Sequence, residues 1–325
     1  DVDNDSRFYS NIDHSTGFKT RSILAAPLKV KDRVIGVAEV INRRDAQPFT
    51  EDNLAIFTTF CRQVALAIEN ARMHRYMLEQ QRLQQQLESA HSIQQSFMPQ
   101  SFPHSDAAKF LLYGKNIPAT SVGGDLFDFI EIDSHRLGFV IGDVSGKGIP
   151  AALYMARLIS DLRYYCHIAE RPVDLMQTIN SVLLERSRQG MFVTLIFMVL
   201  DTQSGKLTIT NGGHLPPLLY QKQVNSCTAI NNSSGIPLGI FSNVEFTEQV
   251  IQLRPGDQIL LYTDGVTEAK NVRGKMFSRK RLENIFANPW HHPQVLIEEI
   301  VKQIQKFSKN ISQHDDITLV AIKWQ

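Results

Sequence analysis

Short runs in which almost every residue is apolar alternate along this chain with turn-forming stretches, and the run lengths say which elements they build. FLLYGKN, FDFIEID, RLGFVIGDV, MFVTLIFMVLD, KLTITNG and DQILLYTDG are runs of seven to eleven residues rich in β-favouring side chains and punctuated by Gly, Asp or Asn, so each predicts a strand. QHDDITLVAIK opens a last one. Helices are expected after Pro150 (AALYMARLISDLRYY), Pro172 (VDLMQTINSVLLER) and Pro293 (QVLIEEIVKQIQKF), because proline suits a first helical turn. Many strands joined by hairpin-like turns, with few helices, argue for an α+β fold with antiparallel sheets and against a doubly wound one. Nearer the start, RSILAAPLKV and RVIGVAEVINR form a hairpin across Lys31 and Asp32. A helix follows, with Thr50 as N-cap and Phe57, Cys61, Val64, Ile68 and Ala71 on its buried face.

A more polar helix continues beyond it, RMHRYMLEQQRLQQQLESAHSIQQSFM. Met73, Tyr76, Leu83, Leu87, Ala90 and Phe97 fit heptad a and d positions, with Gln80 and Gln94 as polar members of the stripe, phase-shifted from the preceding helix as a stutter produces. The glutamines make a weak zipper, so a solvated spacer competes with a parallel homodimer helix, which ranks slightly ahead. Pro99 ends the helix and PQSFP marks a boundary. The chain thus divides into 1–72, 73–98 and 99–325, the last about the size of one catalytic domain.

Composition narrows the function classes. With 34 basic against 33 acidic residues the formal net charge is +1, which gives nucleic-acid binding no support. No apolar stretch approaches the ~20 residues that span a bilayer, and the polar opening DVDNDSRFYS is no signal peptide, so a cytoplasmic protein without membrane contact is expected. The opening is abrupt, as in a segment cut from a longer protein. Cys61, Cys166 and Cys227 lack CxxC spacing and read as reduced packing residues, not zinc ligands.

The candidate chemistry lies at strand ends. SVGGDLFDF sets Asp125 after two glycines with Asp128 three residues on. FVIGDVSGKGIPAA ends an apolar strand on Asp143, ILLYTDGVTEA does so on Asp264, and QHDDITLVAIK opens its strand with Asp315 and Asp316. Any one of these taken singly is a turn residue. Together they place several carboxylates where desolvation is costly unless a cation compensates, beside glycines that let an ion or phosphate approach the main chain. Oxygen-only ligands favour Mg²⁺ or Mn²⁺, and two such ions ~3.5–4 Å apart can clamp a phosphate and lower the pKa of a bridging water. GDVSGKG fails the phosphate-loop pattern, since Gly148 follows Lys147 where Ser or Thr is required. GGDLF lacks the acidic fourth residue of the cyclase motif GGDEF.

SVGGDLFDF, IGDVSGKGIPAALYMA, FVTLIFMVLD, NGGHLPPLL, GIPLGI, LYTDGVTEA and HDDITLVAIK, in that order, resemble the successive motifs of the metal-dependent protein phosphatases, within them the bacterial SpoIIE/RsbU branch. The resemblance covers essentially all of 99–325. It implies two stacked antiparallel sheets flanked by helices and a binuclear Mn²⁺ or Mg²⁺ site, with Asp143 bridging both ions and the Val144 carbonyl completing one. It further implies that Asp264 and Asp315 bind the second ion, Asp316 being the one-residue alternative, and that Asp125 binds an ion or positions the water. Asp128 reads as supporting structure, His214 as a turn residue ahead of a general acid, and Lys147 as a solvated turn lysine ahead of a phosphate contact. DHSTGFKTRSILAAPLKVKDRVIGVAEVINR and the helix after it resemble the C-terminal half of a GAF domain, whose complete form commonly binds a small molecule.

The reading is a serine/threonine protein phosphatase of bacterial signalling. Its partner is a phosphorylated protein, which the resemblance implies to be an anti-sigma-factor antagonist. The linker helix is expected to control it by positioning the helix from Ala151 to Tyr165. The competing reading is a non-catalytic scaffold that holds a phosphoprotein, against which the complete acidic set argues.

Overall fold

In the computed structural model all residues are described except 1, 3, 4, 6, 7, 10, 103–108, 187–189, 232–234 and 310; most of the polar opening and Pro103 of the PQSFP break therefore lie outside the described residues. The chain forms two compact units, Asp1–Gln86 and Leu87–Gln325.

In the N-terminal unit, a short helix α1 (Asn11–Thr16) precedes the antiparallel hairpin β1 (Ile23–Val30) and β2 (Arg33–Ile41). Lys31 takes a positive φ of 52° in the two-residue turn, as expected for a tight hairpin whose twist must match its strands. Helix α2 (Glu51–Phe97) follows as one continuous element, so the helix expected near 51–71 and the linker expected over 73–98 are not separated. Its start is a reciprocal cap: Thr50 Oγ1 accepts from Asn53 N at 3.3 Å and Asn53 Oδ1 accepts from Thr50 N at 3.0 Å. Cys61 and Ala65 are buried and Phe57, Val64 and Ile68 half-buried, whereas Ala71, expected on the same face, is exposed.

Residues from Leu87 of α2 belong to the C-terminal unit. Its strands form two antiparallel five-stranded sheets. The first contains β4 (Asp125–Glu131), β5 (Arg136–Val144), β6 (Val193–Asp201), β7 (Lys206–Gly212) and β10 (Glu248–Gln252), in the order β10-β7-β6-β5-β4. The second contains β3 (Phe110–Ile117), β8 (Leu218–Gln221), β9 (Ser226–Ala229), β11 (Gln258–Tyr262) and β12 (Ile317–Trp324), in the order β3-β12-β11-β8-β9. Helices α3 (Ile149–Tyr165) and α4 (Pro172–Arg186) pack on the first sheet, while α6 (Arg279–Phe286) and α7 (Pro293–Ser308) pack on the second; the one-turn α5 (Asp264–Glu268) follows β11.

This helix–sheet–sheet–helix order explains why the strands read as near-continuous apolar runs. Phe139, Val140, Ile141 of β5 and Leu195 to Met198 of β6 are all buried, because one face of their sheet meets helices and the other meets the second sheet. Clean alternation is expected only where one face is wet. The resulting fold is mixed α+β with stacked antiparallel sheets, as the sequence predicts.

Candidate active site

Four strand ends converge at one edge of the sandwich. Register pairs Asp125 directly with Asp143 across β4 and β5, and Asp143 with Thr194 across β5 and β6. On the second sheet, pairing of Tyr262 with Leu319, extended by a Thr263 N to Thr318 O bond of 3.1 Å, brings Asp264 beside Asp315 and Asp316. Like charges directly opposite in a ladder repel, so this convergence needs compensation.

Asp125 is buried, and the other sheet reaches across to hold it: its Oδ2 accepts from Thr318 Oγ1 at 2.5 Å and from Thr263 Oγ1 at 2.7 Å. Burial, then the charge of Asp143, raises the Asp125 carboxyl well above the usual range. Asp143 is pushed up to about 7, chiefly by burial and then by Asp264, Asp315 and Asp316. Burial and then Asp315 likewise raise Asp264.

The pair at the start of β12 divides its work. Asp316 is buried, and main-chain amides take up its carboxylate, Oδ1 from Ala119 N at 2.8 Å and Oδ2 from Gly124 N at 2.9 Å. Asp315 is half-exposed and faces Lys147, whose Nζ lies 2.9 Å from its Oδ2. The glycines before Asp125 are needed for this closeness: a Cβ on Gly123 would fall 1.9 Å from Asp316 Oδ2, and one on Gly124 2.7 Å from the Val144 carbonyl oxygen.

Two side chains, Gln94 and Asp128, act as braces. Gln94, near the end of α2, brackets the main chain of Gly123, donating from Nε2 to its carbonyl at 2.6 Å and accepting its amide on Oε1 at 3.1 Å. In the sequence Gln94 is one polar position of a zipper stripe; in the fold it is buried on the loop that carries Asp125. Asp128 stands away from the cleft, its buried carboxylate paired with Arg163 of α3 at 2.6 Å, while Arg163 Nη2 also donates to the Phe97 carbonyl at 2.8 Å. His214 does not enter the cleft. Its Nδ1 lies 2.7 Å from Thr194 Oγ1, and burial pulls the imidazole down to about 4, which keeps it neutral at pH 7.

The structure therefore brings Asp125, Asp143, Asp264 and Asp315 together with the Val144 carbonyl, and leaves Asp128 and His214 outside. The donor set is all oxygen, two of its carboxylates are held against desolvation, and the glycine-lined wall admits no side chain. That is an environment suited to a hard divalent cation. Among the described residues no three His, Cys, Asp or Glu side chains stand as a finished ligand cage. Gln94, Thr263 and Thr318 are additions the sequence did not single out.

An acidic cleft at the rim of two stacked antiparallel sheets with outer helices defines a PP2C-type phosphatase domain. The family follows from the comparisons: residues 133–325 match the model of stage II sporulation protein E (SpoIIE) and residues 1–68 that of the GAF domain, so the chain belongs to the SpoIIE family and carries GAF sequence at its N-terminal end. It is 32% identical to Protein IcfG of Synechocystis over 73% of this chain, though it spans only 41% of that protein. With phosphoserine phosphatase RsbU of Bacillus subtilis it shares 25% identity over 75% of this chain and 71% of the relative. Among solved structures, the RsbU and RsbW domains of a Mycobacterium tuberculosis protein superpose with a TM-score of 0.58 at 26% identity, covering 67% of this chain and 60% of that one. The SiaA-PP2C domain of Pseudomonas aeruginosa shares the fold, with a TM-score of 0.67 at 16% identity, 76% of this chain and 99% of that one. No helix among the described residues is long and apolar enough to cross a membrane.

Proposed function

We propose that residues 99–325 form a metal-dependent phosphatase domain that hydrolyses phosphoserine or phosphothreonine in a protein substrate, controlled by the GAF sequence of residues 1–72 through the linker of residues 73–98. The observation that carries this reading is the pairing of the buried carboxylate of Asp125 with the half-buried one of Asp143, at the same rim as Asp264 and Asp315. A soluble scaffold has no use for such a destabilising arrangement. Two divalent cations, Mn²⁺ or Mg²⁺, would be held by Asp143, the Val144 carbonyl, Asp264 and Asp315, with Asp125 as a further ligand or as the group that orients water. RsbX, a PP2C-fold relative, has been crystallised with magnesium. When bound, such ions polarise phosphoryl oxygens and lower the pKa of water.

The chain's own residues supply the rest. Thr263 and Thr318 fix the Asp125 carboxylate, Asp316 holds the amides of Ala119 and Gly124, and Gln94 holds Gly123, so the loop bearing Asp125 is set by groups from three elements. Preorganised groups of this kind cost no rearrangement during reaction. The substrate is a phosphorylated anti-sigma-factor antagonist, by likeness to the RsbU branch. Homodimerisation runs through the linker heptads, and a small molecule bound by a full GAF domain is the input. Control acts on α3, which begins five residues after Val144 and is tied to Phe97 by Arg163.

The test is phosphate release from a phosphoserine peptide with Mn²⁺, comparing the native chain with Asp143→Asn and with chelator. Release that needs both the cation and Asp143 is expected. Release that survives Asp143→Asn would sink the assignment.

A further inference from the structure

Lys147 lies on the glycine turn between β5 and α3 and is not used in the scheme above. Gly146 and Gly148, on either side of it, have φ of 94° and 74°, values that cost a side-chain-bearing residue dearly. The turn so formed throws the Lys147 side chain across the cleft. Its Nζ donates to the His314 carbonyl at 2.8 Å and to Asp315 Oδ2 at 2.9 Å, so one ammonium bridges from the β5 edge to the β12 edge. Beneath it, the cavity lined by Asp143, Gly123, Gly124, Asp315 and Asp316 measures only about 10 Å³. That is barely the space of one water molecule.

We propose that Lys147 is an exchangeable counter-cation of the acidic cleft: its ammonium competes with a divalent cation for Asp315 and, once displaced, binds the phosphoryl oxygens of the substrate. Five carboxylates meet here, and a carboxylate oxygen engaged by an ammonium is not free to ligate an ion. The lysine side chain is 60% exposed and that of Asp315 45%, so the pair is weak and parts readily. An ammonium is a compact charge with three donors and no acceptor, well matched to phosphate. Tethered between two glycines, it stays at the mouth of the cleft, where the phosphoryl group must enter.

The second half of this proposal rests on the phosphatase reading; the competition for Asp315 does not. Titration calorimetry with Mn²⁺ on the full chain and on Lys147→Gln reads the first half. Loss of the competing charge should tighten Mn²⁺ binding roughly threefold to tenfold. With saturating Mn²⁺, inorganic phosphate should bind Lys147→Gln roughly tenfold more weakly, and the KM for a phosphoserine peptide should rise alike, with Lys147→Arg recovering most of both. Equal Mn²⁺ affinity in the native chain and Lys147→Gln overturns the counter-cation role, and equal phosphate affinity overturns the phosphoryl contact. If Mn²⁺ binding tightens while the native chain releases no phosphate, the phosphatase reading fails and the exchange at Asp315 stands.

Discussion

Burial and three neighbouring carboxylates push Asp143 up to about 7, and Asp125 and Asp264 shift the same way. In the unfolded chain these groups titrate near ~3.9. Between that value and about 7 the folded chain holds protons the unfolded chain has released, so stability falls as pH rises through this window. A divalent cation that neutralises the cluster removes the penalty. Mn²⁺ should therefore raise the thermal midpoint more at pH 7 than at pH 5, a comparison in which the opposing titration of buried His214 cancels. The reverse order would contradict the raised carboxyls. Thr318→Val tests a neighbouring contact, since it keeps the shape and removes one donor from Asp125. Unfolding free energy from urea denaturation should fall by about 1–2 kcal/mol. The acids were legible because each sits where an apolar run stops. Gln94, Thr263 and Thr318 were not, because their partners lie 29, 138 and 193 residues away and nothing local marks them.

Between elements, the joints that matter are single side chains. Arg163 ties α3 to β4 through Asp128 and to the end of α2 through Phe97. Arg163→Met leaves a carboxylate that is 2% exposed without its cation. The arginine itself is half in solvent, so the cost should be about 1–3 kcal/mol, less than for a fully buried pair. Asp128→Asn in the same chain should recover part of it, and a double-mutant cycle in urea measures the coupling. Gln94→Ala strips both partners from the Gly123 main chain and should cost about 1–3 kcal/mol in the same denaturation. If α2 sets the loop that carries Asp125, Mn²⁺ affinity should weaken as well; unchanged affinity would detach the helix from the cleft. At this scale the long buried strands and the proline-started helices were legible. Strands β8, β9 and β10 and helices α5 and α6 are four to eight residues long and too short for a period to declare itself. The phase shift read near Arg72 leaves α2 unbroken, because it changes which face is apolar without interrupting the backbone ladder.

Across the whole molecule, every residue from Asn70 to Gln86 is exposed, all of them within α2. An isolated helix of that length is marginal in water. Limited trypsin digestion of dilute chain should therefore cut first at Arg72, Arg75 or Arg82, leaving a C-terminal product that resists further digestion, because Leu87–Gln325 is a compact unit with its own core. Protection of those arginines that grows with concentration is the expected mark of the linker homodimer; equal cutting at all concentrations would leave the helix a solvated spacer.

Strand β12 lies inside its sheet, between β3 and β11, yet it follows the other described strands in sequence and brings Asp315, Asp316 and Thr318 with it. On the ribosome the hairpin of the N-terminal unit can form early, whereas the cleft waits until the stretch from Asp315 to Trp324 has emerged. A nascent chain paused anywhere before Asp315 lacks three groups of the cleft, and one nonsense codon there removes a central strand along with them. Synthesis itself thus acts as a timer, leaving a half-made molecule without a complete acidic cleft.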